Sequence, residues 1–269
     1  MIKVNGIVVE HQSFPDGTAH VVAPVPENQW THVSFTWLYE SDAELFVLQC
    51  LVDKYENFPQ TLIMPYVPHA RMDRVKNASD VFTLKTFCKM INAMNFVQVA
   101  ILDPHSDVTP ALLDRVAVID PTSWVQEVIT NKHIENFPDD IVYFYPDAGA
   151  AKRYSTDAVY TYGVKKRNWE TGQIESLVIA EPEVVKGKNV VIIDDICSYG
   201  GTFSRAAAAL KAAGAEKIYL FVTHCEDNIF KGTIFSDGNV DAVITTNSLI
   251  HTEWIEPEYT GKIFVAQLF

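Results

Sequence analysis

Seven apolar runs, rich in β-branched and aromatic residues, are spaced along the chain: THVSFTWL (31–38), TLIMPYV (61–67), VQVAILD (97–103), IVYFYPD (141–147), NVVIIDDI (189–196), KIYLFVTHC (217–225) and VDAVITTNS (240–248). Between several of them lie segments of helical period: SDAELFVLQCLVDKY (41–55), DVFTLKTFCKMINAM (80–94) and FSRAAAALKAAGA (203–215). Continuous Val/Ile/Leu strands alternating with amphipathic helices demand a parallel sheet with both faces covered, because each strand must be apolar on both sides. The fold class expected is therefore α/β. Ser41, ahead of Asp42-Ala43-Glu44, is the expected N-cap of the first helix, and Gly214 the expected C-cap of the alanine-rich one. No repeat and no low-complexity linker interrupts the chain. Two βα sets meet around IDPTSW (119–124), which divides the chain into domains 1–118 and 119–269.

Composition limits the function classes. With 48% hydrophobic and 20% charged residues the 269-residue chain is an ordinary globular sequence, not a disordered one. A net charge of −13 argues against nucleic acid or an anionic membrane surface as partner, since their phosphates would be repelled. An enzyme of anionic metabolites must then gather Lys, Arg or a metal ion locally. The N-terminal stretch lacks the pattern of a signal peptide, and no run of 18 apolar residues occurs. Cys50, Cys88, Cys197 and Cys225 form no CxxC pair and read as reduced core thiols. A cytoplasmic protein is expected.

Ligands in open α/β sheets bind at the carboxyl ends of strands, so the residues that terminate the runs matter most. VVIIDDICSYGGTF (190–203) ends in two carboxylates and a glycine turn. Gly200 and Gly201 let backbone N–H groups approach an anion, Thr202 donates a hydroxyl, and the following helix offers its positive end. Asp194 and Asp195 can accept from vicinal hydroxyls, which points to a sugar carrying a phosphate. MPYVPHARMDRV (64–75) brings together His69, Arg71, Asp73 and Arg74, with the arginines spaced to face one polyphosphate. AILDPHSD (100–107) sets His105 at a strand tip among acids, a neighbour or ligand of Mg²⁺. VYFYPDAGAAKRY (142–154) ends in Asp147 followed by small residues. YGVKKRNWETGQIES (162–176) carries Lys165, Lys166 and Arg167, expected on a loop, as a charge clamp.

In this order the segments resemble the ribose-phosphate diphosphokinase (phosphoribosyl pyrophosphate synthetase) family, from FPDG at 14–17 to TTNS at 245–248. The resemblance implies two tandem type I phosphoribosyltransferase-like domains, each a mainly parallel sheet flanked by helices. It implies that Phe14 and Asp16 belong to the adenine loop, and that Arg71, Met72, Asp73, Arg74 and His105 bind ATP. His105 and Asp147 would neighbour Mg²⁺. Asp147, Asp194, Asp195, Ser198, Tyr199, Gly200, Gly201 and Thr202 would hold the ribose-phosphate acceptor, and Lys165 and Arg167 would be catalytic. The implied reaction moves the β,γ-diphosphoryl group of ATP to the anomeric hydroxyl of ribose 5-phosphate. A homo-oligomer is implied as well, because the adenine loop of this family works across a subunit contact.

The sequence departs from the family pattern at its sugar-phosphate loop. Where the family has Asp-Thr followed by Ala, Cys or Gly, this chain reads Ser198-Tyr199-Gly200. A hydroxyl that caps a terminal 5-phosphate is lost, and a flat ring is gained. This opens an alternative: the same chemistry on a 5′-substituted ribose phosphate such as ADP-ribose, serving NAD salvage. Thr18 and Met72 replace the usual Glu and Gln near the expected adenine. Remoter alternatives are a phosphoribosyltransferase, a non-catalytic regulatory homologue or a nucleotide sensor.

Overall fold

The computed structural model describes residues 1–26, 30–122, 124, 138, 140–155, 157–167 and 174–269. They form two compact units, Met1–Asp120 joined by Phe269, and Pro121–Leu268.

The first unit contains β1 (Ile2–Val4), β2 (Ile7–Val8), β3 (Glu10–Ser13), β4 (Ala19–Val22), β5 (Val33–Trp37), α1 (Ala43–Lys54), β6 (Gln60–Met64), α2 (Thr83–Ala93), β7 (Gln98–Leu102), α3 (Val108–Leu112) and β8 (Val116–Ile119). Its main sheet has the order β2-β1-β5-β6-β7-β8. β5 to β8 run parallel, and β1 lies antiparallel to both its neighbours. β3 and β4 make a separate antiparallel hairpin. Leu84, Phe87, Cys88 and Ile91 form one buried stripe on α2, the spacing of a helix packed on a sheet. With Phe35, Trp37, Leu48, Leu51, Leu62 and Ile101 they build the core. Each such side chain contributes about 2 kcal/mol by leaving water.

Ser41 is not the N-cap of α1. Asp42 holds the cap position with helical backbone angles and no side-chain capping bond. The reason is Glu44, which turns back over the helix start. Its carboxylate accepts from the N–H of Glu40 (2.8 Å) and Ser41 (3.3 Å), from Trp37 Nε1 (2.9 Å) and from the Met1 amino group. Burial alone would push the Glu44 carboxyl upward, but these donors hold it below its usual value.

The second unit contains β9 (Ile141–Tyr145), α4 (Ala148–Tyr154), β10 (Tyr160–Arg167), β11 (Ile174–Ile179), β12 (Asn189–Cys197), α5 (Gly201–Ala212), β13 (Ile218–Cys225), β14 (Ala242–Thr246) and β15 (Ile263–Ala266). Its sheet has the order β11-β10-β9-β12-β13-β14-β15. All neighbours run parallel except β10 and β11, which are antiparallel. Every residue of β13 is buried, as a central strand covered on both faces requires. One side of the sheet packs Val190, Ile192 and Leu220 against Phe203, Ala206, Ala207 and Leu210 of α5. The other packs Val191, Ile193 and Phe221 with Ala150, Ala151 and Tyr154 of α4. Gly214 does stop α5, one residue past its Ala213 cap. The N–H of Ala215 reaches the Leu210 carbonyl and that of Gly214 the Lys211 carbonyl, both at 3.0 Å.

Every apolar run named above contains a strand, and the three helical segments are α1, α2 and α5. β12 runs through both aspartates to Cys197, further than its apolar stretch alone indicates.

Candidate functional site

In the first unit two strand tips meet. The turn after β6 brings His69, with φ of 63°, and the turn after β7 brings Asp103, with φ of 41°. Non-glycine residues in the left-handed region mark backbone held by its surroundings. Asp73 is buried and takes Arg74 Nε at 2.8 Å and a second guanidinium nitrogen at 3.3 Å. The Arg74 hydrogen bond is the main cause that holds the Asp73 carboxyl below its usual range; Ser106 and His105 act in the same direction. The two motifs are thus neighbours, joined through Asp73 and His105. Arg71 is exposed and Met72 half-buried on the same turn. His69 Nε2 lies 3.1 Å from Asp42, to which the Tyr39 hydroxyl also donates at 3.0 Å.

Phe14 and Asp16 lie in the turn of the β3–β4 hairpin. Asp16 accepts from the Thr18 hydroxyl (2.7 Å) and N–H (3.0 Å), bonds that lower its pKa. Phe14 is 51% exposed and tilted against His20 at 5.4 Å. Thr18, the departure from the family's Glu, therefore locks the turn.

In the second unit Asp147 is the N-cap of α4 and accepts from the N–H of Gly149 and Ala150, each at 3.0 Å. Asp194 and Asp195 lie near the carboxyl end of β12, and their carboxyl groups are close enough to interact. Asp195 has the parity of Val191 and Ile193, on the α4 side, and lies 3.9 Å from Arg153. Asp194 accepts the Asp195 N–H at 3.0 Å. Burial pushes the Asp194 carboxyl well above the usual carboxylate range, and the charges of Asp195 and Asp147 add to it.

Beyond Cys197 the loop turns at Gly200, whose φ of 76° suits glycine alone and whose position opens α5. Thr202 is exposed on the first helical turn, and the Tyr199 side chain is 55% exposed. The Ser198 hydroxyl donates to Glu226 Oε2 at 2.5 Å. Gly232 comes against the back of this loop: a Cβ there would stand 1.9 Å from the Tyr199 carbonyl oxygen.

Lys165, Lys166 and Arg167 are not on a loop: their backbone ends β10 and pairs with β11, the register shifting between Lys166 and Arg167. The side chains of these three residues, and residues 168–173 after them, lie outside the described part.

Sequence reasoning missed Glu226, Gly232 and the Arg153–Asp195 pair. Glu226 follows the carboxyl end of β13, so the strand-end rule could have flagged it. Gly232 could not have been found this way, since its role is the approach of a distant backbone.

Three comparisons bear on this site. Residues 150–256 match the phosphoribosyl transferase domain model. The ribose-phosphate pyrophosphokinase of Thermococcus kodakarensis is 30% identical over 242 residues, covering 87% of this chain and 81% of that protein. That of Sulfurisphaera tokodaii is 29% identical over 262 residues, covering 93% and 87%. Among solved structures, phosphoribosylpyrophosphate synthetase from Mycobacterium smegmatis superposes with a TM-score of 0.73 at 19% identity, covering 96% of this chain and 85% of that one; it shows the fold. By these matches the α/β chain, with its acidic strand end and glycine turn, belongs to the ribose-phosphate pyrophosphokinase family of transferases.

Proposed function

We propose that the protein transfers the β,γ-diphosphoryl group of ATP to the anomeric hydroxyl of ribose 5-phosphate, releasing AMP. The observation that carries this reading is the end of β12, where Asp194 and Asp195 precede a glycine turn opening a helix. The two carboxylates accept the sugar hydroxyls, and the N–H groups at the start of α5 take the phosphate. In the first unit Arg71, Arg74 and His105 face the ATP polyphosphate, with Phe14 and Asp16 near its adenine. Lys165 and Arg167 supply positive charge to the transferring group, since phosphoryl transfer depends on positioning and charge stabilisation more than on a covalent catalyst.

The donor set suits Mg²⁺. Oxygen ligands dominate, and the Asp194 carboxyl is pushed up first by burial and then by the charges of Asp195 and Asp147, which a cation would offset. When bound, Mg²⁺ would supply positive charge against the phosphates. Asp147 and His105 are its expected neighbours.

A second reading has its own support. Ser198 spends its hydroxyl on Glu226, and Tyr199 exposes its ring on the same loop. Both favour an acceptor whose 5-phosphate carries a further group, such as ADP-ribose.

A mass-resolved assay with ATP and Mg²⁺, offering ribose 5-phosphate and ADP-ribose separately, tests both readings. An acceptor that gains a diphosphate, with one AMP formed per transfer, is the expected result. Ribose 5-phosphate alone reacting removes the second reading; no AMP with either acceptor overturns the reaction.

A further inference from the structure

We propose that the stretch from Glu226 to Trp254 forms an acceptor-selecting subsite beside the sugar-phosphate loop. In it Glu226 disfavours a terminal phosphate dianion, and Trp254 stacks a flat nitrogen heterocycle joined to that phosphate. The proposal rests on the second reading above and gives it a structural basis.

The connection runs through named bonds. Glu226 is tied to the loop twice: its N–H donates to the Cys197 carbonyl at 2.8 Å, and its carboxylate receives the Ser198 hydroxyl at 2.5 Å. Asn228 Nδ2 donates to the same carboxylate oxygen at 3.0 Å, which fixes the charge in place. The next residue, Asp227, accepts from the N–H of His251 at 3.0 Å and lies 2.6 Å from its Nδ1. His251 in turn lies flat beneath the Trp254 indole, with ring centroids 4.1 Å apart and planes at 21°. Trp254 is nevertheless 60% exposed. A large ring anchored on one side and open on the other is a stacking surface.

The charge argument concerns the phosphate. A terminal phosphate monoester carries close to two negative charges at neutral pH, whereas in ADP-ribose that phosphate is joined onward through an anhydride bond and carries one, the other charge lying on the next phosphate. A carboxylate fixed against the loop repels the first more strongly than the second. It also occupies the Ser198 hydroxyl that would otherwise donate to the additional terminal oxygen. Lys231, which reaches Asn228 Oδ1 at 3.3 Å, and Arg205, whose guanidinium lies beside Gly201, are both exposed, where solvent and salt screen them. Stacking of a base on an aromatic side chain is worth about tenfold or more in affinity.

Calorimetric titration of the full chain with Mg²⁺ and without ATP, using ADP-ribose and ribose 5-phosphate as probes, reads this directly. The wild-type chain should bind ADP-ribose more tightly. Trp254→Ala should lower the ratio of ADP-ribose to ribose 5-phosphate affinity about tenfold, and Trp254→Phe should restore most of it. Glu226→Gln keeps an acceptor for Ser198 and should raise ribose 5-phosphate affinity roughly fivefold. An unchanged ratio in Trp254→Ala, or unchanged ribose 5-phosphate binding in Glu226→Gln, overturns the subsite. Because binding is measured without turnover, these outcomes are separate from any failure of diphosphoryl transfer.

Discussion

Asp194→Asn makes the protein more stable and nearly inactive. The Asp194 carboxyl is disfavoured as an anion by burial and by the charges of Asp195 and Asp147. Asparagine keeps the shape and the acceptor for the Asp195 N–H, and it removes the repulsion. Stability should rise by about 1 kcal/mol, read as a higher urea midpoint at pH 7. Turnover with the preferred acceptor should fall roughly 100-fold, because a misplaced reacting hydroxyl loses the benefit of orientation. A drop in stability would show that the carboxylates are not in conflict. The pH dependence follows in sign. The folded chain holds a proton on Asp194 at pH values where the unfolded chain has released it. This group's contribution is therefore fully present below the unfolded carboxylate range and is lost as pH rises through the raised folded value. Asp194→Asn should flatten that part of the stability profile.

Gly232→Ala should damage the same loop from behind. Its φ of −89° is open to any residue, so the difficulty is space alone. The added methyl would meet the Tyr199 carbonyl oxygen at 1.9 Å and the Tyr199 carbonyl carbon at 2.9 Å. Both are backbone atoms, and neither can swing aside as a side chain does. Overpacking of this kind costs about 3 kcal/mol or displaces the loop. The expected result is a thermal midpoint lower by several degrees, with acceptor KM raised about tenfold and ATP KM little changed. An unaltered acceptor KM would mean that the Gly232 contact does not hold the loop in its working position.

The sheets were legible because parallel strands buried on both faces write continuous apolar runs. β13, β12 and β14 are such strands, and their sequences say so. β1, β2, β10, β11 and β15 were not anticipated: they lie at or near sheet edges, β1, β2 and β15 have four residues or fewer, and β10 and β11 carry charged residues, so their sequences look like loops. At the site, Asp194, Asp195, Gly200 and Asp147 could be singled out because carboxylates and glycines at strand ends have few other uses. Which partner each would find could not. Ser41 was expected to cap α1 from its residue type, yet Glu44 took that region through four donors brought in from Met1, Trp37, Glu40 and Ser41. Ser198 likewise reads as a phosphate donor until Glu226, 28 residues away, is seen to accept its hydroxyl.

The full burial of β13 sets a hierarchy of opening motions. β12 and β13 pair along most of their length at the centre of the sheet, so their amides exchange with solvent only when the whole unit unfolds. Cys197, just before the glycine turn, and Cys225 are paired in register at the far end of that ladder. β11 is bonded on one side only, so this strand has fewer bonds to break. Local opening is therefore cheaper at the edge strands β11 and β15 than in the β12–β13 ladder that carries the two aspartates into the glycine turn.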